Sequence, residues 1–207
     1  MLLAALDNGR MNLLQASAVP PQGCRGRHYR RVCAGVDRRR WLILLPAALV
    51  ACSPTLDWRD VRPAGSPVQL LMPCKPDSHE RRLSLAGQPA RLALHVCSAG
   101  DQTWSLAFAD VGDPARLGDV MQQFVQTAGA NIAAAGAQAS PLRVPGATPH
   151  SASQTVVYRG LLPDGKSVKM QVSVFAYGTY AFQATVLGAE LPAESVQTFM
   201  ESIRFAR

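Results

Sequence analysis

The sequence has few of the residues that usually carry chemistry. Only 6% of its 207 residues are aromatic, 17% are charged and four are histidine. It contains no Gly-rich phosphate loop, no Gly-x-Ser-x-Gly elbow, no His-Glu-x-x-His motif and no cluster of carboxylates. We therefore expect a protein that is not an enzyme and that needs no cofactor or metal.

The sequence also lacks an apolar run that would span a bilayer comfortably. The run Trp41–Ala51 has eleven residues, and a helix of that length covers about 16 Å of a hydrocarbon core of about 30 Å. Three arginines, Arg38 to Arg40, precede the run, and Cys52 follows it. A charged start, a short apolar centre and small residues before a cleavage point are typical of a secretory signal. We predict a signal peptide at residues 38–51.

The end of this run, Leu49-Val50-Ala51-Cys52, resembles the lipobox of bacterial lipoproteins. The resemblance implies that Cys52 becomes the N-terminus and carries acyl chains such as palmitate, which anchor the protein stably. It also implies a protein of the cell envelope that faces the periplasm. Ser53 after the cysteine points to the outer membrane of a Gram-negative bacterium. The alternatives are a buried apolar segment that happens to end in cysteine and an uncleaved anchor in the inner membrane.

Residues 1–37 show no sustained periodicity, so we predict either a start site placed too far upstream or a disordered basic extension. In the first case, the natural start is Met11 or lies near Val36. Residues 1–51 hold eight of the 21 Lys and Arg residues and two of the 14 acidic residues, so their net charge is +6 and that of the remainder is +1. The basic pI of about 9.6 belongs to this leader and does not predict nucleic-acid binding.

Cys74 and Cys97 remain after the leader and Cys52 are set aside. Two cysteines in an exported chain most simply form one disulfide. The alternative is a metal site that adds His79 and His95, although the spacing Cys-x4-His…His-x-Cys matches no common zinc pattern. Within the strand predicted at 91–97, alternation places His95 and Cys97 on the same face.

The remaining chain predicts a flexible tether at 52–67, rich in proline, and one domain at 68–207. Trp58 in the tether is either a docking motif or a side chain that packs back on the domain. Helices are predicted at about 113–135 and 192–203, from proline-initiated apolar stripes. Apolar runs and alternation predict seven strands, at 68–72, 82–85, 91–97, 104–108, 154–161, 167–176 and 180–186, and the loop at 140–153 leaves room for a further short strand at 142–144. The segment 74–80 reads as a turn. The fold class is α+β, an antiparallel sheet of about six to seven strands packed by two helices.

This order of elements, together with the ending Phe199-Met200-Glu201-Ser202-Ile203-Arg204-Phe205, is similar to the PsbP-like superfamily. The resemblance covers about Val68 to Phe205 and carries no site motif. It implies an accessory or assembly factor. Two functional hypotheses follow: a lipid-anchored accessory protein that binds an envelope partner, or a small envelope enzyme or metal binder that uses His79 and His95.

Overall fold

The computed structural model describes residues 55–205. The predicted leader, the signal peptide and Cys52 lie outside the described residues. Within 55–205 the chain forms ten strands and two α-helices: β1 Arg59–Val61, β2 Val68–Met72, β3 Asp77–Leu85, β4 Gln88–Ala99, β5 Gln102–Asp110, α1 Leu117–Asn131, β6 Gly136–Pro141, β7 Gln154–Leu161, β8 Ser167–Tyr177, β9 Tyr180–Gly188, α2 Ala193–Glu201 and β10 Arg204–Phe205. These elements form two antiparallel sheets, each covered on at least one face.

The larger sheet has seven strands in the order β3-β4-β5-β9-β8-β7-β6. Neighbours in this sheet are also neighbours in sequence, except that β5 pairs with β9. The predicted meander of β7, β8 and β9 is confirmed. A turn around Gly165, whose φ is +82°, joins its first two strands, as the sequence Pro163-Asp164-Gly165-Lys166 predicts.

Helix α1 covers one face of this sheet, where it packs on β7, β8 and β9. It begins as predicted: the Asp113 side chain accepts a hydrogen bond from the Ala115 N–H, and Pro114 opens a 3-10 turn before the helix. Its apolar stripe is buried, namely Leu117, Val120, Met121, Phe124 and Ala128. The helix ends at Asn131, earlier than predicted, because the carbonyl of Ile132 accepts the N–H of Leu161 at 2.7 Å.

The opposite face is covered by helix α2 and by a second sheet with the order β1-β2-β10. Side chains from both sheets and α2 meet in one core cluster, which includes Leu70, Met72, Trp104, Phe175, Phe182, Phe199 and Ile203. Trp104, Phe182 and Phe199 are fully buried, and complete burial of such a side chain contributes roughly 1.5–3 kcal/mol. This cluster ties the small sheet to the large one.

The small sheet joins the first and the last strand of the described chain. Both β1 and β10 pair with β2. The carboxylate of Asp60 in β1 accepts hydrogen bonds from Gln69 of β2 at 2.8 Å and from Arg204 of β10 at 2.7 Å. The Gln69 amide is the leading cause that lowers the pKa of Asp60, and Arg204 adds to it.

The structure confirms an antiparallel sheet packed by two helices, but with more strands than predicted. The difference arises because β2 pairs with two short strands and not with the main sheet. Helix α2 spans Ala193–Glu201, and Arg204–Phe205 form a strand after it. Phe205 stacks on Tyr177, with ring centroids 4.3 Å apart. That contact holds the chain end in the core cluster.

Three local predictions are wrong. The tether is shorter than 52–67, because Arg59–Val61 form β1 and Pro63 is buried in the turn that follows. The segment predicted as a turn at 74–80 contains the start of β3 at Asp77. The strand predicted at 142–144 lies earlier, at Gly136–Pro141.

Candidate functional site

A disulfide joins Cys74 to Cys97, with Cα atoms 6.0 Å apart. Cys74 follows β2 of the small sheet, and Cys97 is paired with Trp104 across β4 and β5 of the large sheet. The bond therefore connects the two sheets at one end of the molecule. The predicted pairing of these cysteines is confirmed.

The fold begins beside this disulfide. Just before β1, the N–H of Asp57 donates to the carbonyl of Pro73, just after β2, at 2.8 Å. Trp58 packs edge-on against Trp104, with ring centroids 6.0 Å apart. Of the two alternatives for Trp58, packing on the domain is therefore the correct one. Cys52 lies outside the described residues, and its lipidation stays a prediction.

His95 lies on the face of the large sheet that carries the core cluster. Its ring stacks on Phe108 at a centroid distance of 6.0 Å and an interplanar angle of 5°. Its Nδ1 atom is 2.8 Å from the hydroxyl of Ser78, the residue directly across the β3–β4 ladder. Burial lowers the pKa of His95, and the charge of Glu80 opposes part of that shift. The imidazole is therefore neutral at neutral pH.

The structure does not bring His79 and His95 together. His79 is paired with Leu94, so it is on the opposite face of the ribbon from His95, and it is exposed. Both nearby cysteines are consumed by the disulfide. Within residues 55–205, no group of three His, Cys, Asp or Glu side chains is placed to hold a metal ion. The four-residue metal site considered from the sequence does not form.

Ser78 and His95 are placed like a nucleophile and its general base. Such an arrangement also needs a third group that orients the base. Glu80 is the nearby carboxylate, but its Oε2 atom contacts Nη1 of Arg91 at 3.2 Å. The geometry is therefore that of a hydrogen-bonded pair on a half-buried surface. The hypothesis of an enzyme built on His79 and His95 gains no support from it.

Sequence reasoning missed Ser78 because it treated 74–80 as a turn. The signal that would have found it is the symmetry of a hairpin around its turn. With the β3–β4 turn at Ala86–Gly87, each residue of β3 faces the residue equally distant on β4, and Ser78 faces His95. Register, and not hydrophobicity, identifies this pair.

The β3–β4 turn is fixed to helix α1 by two long polar side chains. Oε1 of Gln123 accepts the N–H of Ala86 at 2.8 Å, and its amide donates to the carbonyl of Ser84. The guanidinium of Arg116 donates to the carbonyl of Leu85 at 2.7 Å and to that of Val111 at 2.9 Å. The tip of an otherwise exposed hairpin is therefore held in one position.

The ribbon leading to this tip forms one of the two exposed edges of the large sheet, and β6 at the other edge is exposed along its whole length. Strand β3 forms one edge of the sheet, and its residues from Asp77 to Arg82 are all exposed. An edge strand presents unpaired backbone N–H and C=O groups to solvent. Such edges are the sites at which extended segments of a partner add a strand.

No protein-family model matches this chain, and no curated protein matches it either. Among residues 55–205, no helix has the length and apolar character needed to cross a membrane.

Proposed function

We propose that this protein is a lipid-anchored protein of the cell envelope that acts as a non-catalytic binding or accessory factor. In this proposal the chain is cleaved before Cys52, acylated there, and held at the periplasmic side of the outer membrane. The apolar run of eleven residues, the arginines before it and the lipobox-like Leu49-Val50-Ala51-Cys52 support the anchor.

The observation that carries the proposal is how soon folded structure follows Cys52. Asp57 already bonds to Pro73, and Trp58 already packs on Trp104. Five residue steps separate Cys52 from Asp57, and a fully extended chain of that length reaches about 17 Å. An acylated Cys52 would therefore hold the disulfide end of the domain close to the lipid headgroups.

The same geometry directs the opposite end of the strands away from the anchor. The side chain of Thr55 lies beside the turn at Gly100, 3.6 Å from the position that a β-carbon there would occupy, whereas the β3–β4 turn at Ala86–Gly87 is at the other end of β4. Strand β4 has twelve residues, which span about 40 Å. In this proposal the exposed ribbon faces the periplasm, and a partner binds at its edge. This arrangement suits a binding factor.

The test is the intact mass of the protein purified from the membranes of its native host. We expect residues 52–207 with one diacylglycerol and one further acyl group on Cys52. Cys52→Ala should abolish acylation and leave the precursor uncleaved. Cys33→Ala, in the segment predicted to be removed, is the matched control and should leave the product unchanged.

A mature mass that retains residues 1–51 would overturn the lipoprotein proposal. With the protein still in the membrane fraction, it would favour the uncleaved inner-membrane anchor. Fractionation of inner and outer membranes from the same preparation tests the assignment to the outer membrane.

A further inference from the structure

The face of the β3–β4 hairpin that carries His95 also carries two arginines opposite each other. Arg82 of β3 is the direct partner of Arg91 of β4 in the antiparallel ladder. Side chains at such positions start from β-carbons about 5 Å apart, and like charges placed there repel each other. The pair therefore concentrates positive charge on this face, and an anionic ligand would relieve the repulsion.

The charges around the pair leave it unbalanced. Oε2 of Glu80 lies 3.2 Å from Nη1 of Arg91, and this is their one contact. The side chains are 60% and 62% exposed, respectively. Arg82 has no ion pair or side-chain hydrogen bond within residues 55–205. One guanidinium is thus uncommitted and the other is only partly engaged.

The two arginines flank a depression of about 580 Å³. Its other lining residues are small or apolar: Leu83, Ser84, Gly87, Pro89 and Ala90. The depression is shallow and open to solvent, so a ligand can enter without rearrangement of the fold. The combination of two guanidinium groups, one hydroxyl and an apolar floor suits an oxyanion attached to a small organic group.

The backbone under this depression does not need to be ordered by a ligand. Gln123 and Arg116 hold the carbonyls of Ser84 and Leu85 and the N–H of Ala86. Arg116 is occupied by backbone carbonyls and is not part of the arginine pair. A site on a fixed turn loses less entropy on binding than one on a free hairpin.

We propose that the depression between Arg82 and Arg91 binds an oxyanion, with phosphate as its simplest representative. The guanidinium of Arg82 makes the main contact, Arg91 shares its charge between the ligand and Glu80, and Ser84 is within the same lining. Glu80 competes with the ligand for Arg91. The phosphate can belong to a soluble molecule or to the headgroup of a membrane lipid, and the second source requires an orientation other than the one proposed above, in which this turn is directed away from the membrane. The site does not depend on acylation of Cys52. The lipoprotein proposal can therefore be overturned while the oxyanion site remains valid.

The test is equilibrium dialysis of the full-length protein, purified in a neutral detergent, against radiolabelled inorganic phosphate. We expect one saturable site. Arg82→Gln should weaken binding roughly tenfold or more, because a hydrogen bond to a charged group is lost. Glu80→Gln should strengthen it about two- to fivefold, the equivalent of an exposed ion pair.

Arg81→Gln is the matched control. It removes the same charge from the neighbouring position, but Arg81 is paired with Leu92 and is on the other face of the ribbon. It should leave phosphate binding unchanged. Equal loss in Arg81→Gln and Arg82→Gln would overturn the proposal in favour of general electrostatic attraction, and so would the absence of saturable binding to the wild-type protein.

A second arm distinguishes the two sources of the ligand. Phosphatidylglycerol added to the detergent micelles should displace the labelled phosphate if a lipid headgroup occupies the site. Retention of the phosphate assigns the site to a soluble oxyanion. The three substituted side chains, Glu80, Arg81 and Arg82, are exposed, so we expect every variant to fold. Thermal unfolding of each variant checks this.

Discussion

The carbonyl oxygen of Ile132 lies 2.1 Å from the position that a β-carbon on Gly160 would occupy. This contact is between the end of helix α1 and strand β7, where Leu161 donates its N–H to the same carbonyl. The closeness of the two backbones explains why the position is glycine. Any side chain would push the helix end away from the sheet and break that hydrogen bond.

Gly160→Ala should therefore destabilise the protein by about 2 kcal/mol or more, since the clash is with backbone and cannot be relieved by a rotamer change. Chemical denaturation measures the free energy of unfolding. Gly136→Ala is the matched control, because nothing lies within 4 Å of its β-carbon position, and we expect a change within about 0.5 kcal/mol. Equal stability of the two variants would show that the close approach has no energetic importance.

Removal of the disulfide should weaken the connection between the two sheets. The double variant Cys74→Ala/Cys97→Ala opens a loop with a sequence separation of 23, and we expect a loss of about 3 kcal/mol. Urea unfolding of the oxidised protein, the reduced protein and the double variant checks this. The reduced protein and the double variant should agree with each other, and if all three curves coincided the bond would have no role in stability.

The pH dependence of stability should report on His95. Burial lowers the pKa of His95 from its ordinary value of 6.5, so the unfolded chain binds the proton more readily than the folded one. Its contribution to stability is then fully present above about pH 6.5 and is lost as the pH falls toward the pKa of the folded state. His95→Gln should flatten this part of the profile of unfolding free energy against pH.

His79→Gln is the control for this profile, since His79 is on the opposite face of the same ribbon. This variant retains His95, so its unfolding free energy should keep the same slope against pH. A profile that changed with His79→Gln and not with His95→Gln would contradict the assignment of the buried imidazole as the cause.

The attachment of the β3–β4 turn to helix α1 should depend on Gln123. Gln123→Ala removes two hydrogen bonds, to Ala86 and Ser84, and should cost about 1–2 kcal/mol. Hydrogen exchange at the Ala86 amide should accelerate more than exchange in the centre of β4. Gln122→Ala, at the exposed neighbouring position, should leave both quantities unchanged. If the Ala86 amide kept its protection in Gln123→Ala, another group would have to hold the turn.

The elements that were predicted correctly from the sequence are those that bury one face and expose the other. Helix α1 shows its apolar stripe and its Asp113-Pro114 start, and β8 alternates Val168, Met170 and Val172 with polar residues. The first part of β3, residues 77–81, was not predicted, because these residues are exposed on both faces. Periodicity reports burial, and an edge strand that buries neither face leaves no such pattern.

The same limit applies to the disulfide and to the residue pairs on the β3–β4 hairpin. Cys74 and Cys97 could be paired by counting, because a small number of cysteines leaves few alternatives. The contacts between Ser78 and His95 and between Arg82 and Arg91 depend on the register of β3 against β4. Ser78 lay in a segment that was predicted as a turn, and the pairing of Arg82 with Arg91 needs the exact position of the β3–β4 turn, so neither pair was identified from the sequence.

The small sheet has a consequence for the order in which the chain can become native. A polypeptide is made from its N-terminus, yet β1 is bridged through Asp60 to Arg204, and the core cluster includes Phe205. Asp60 thus acquires its partner Arg204 only when a residue 144 positions later has been synthesised. Until then Phe175, Tyr177 and Phe182 lack their contacts with Phe205. The two residues of β10 thus complete both the small sheet and the core cluster.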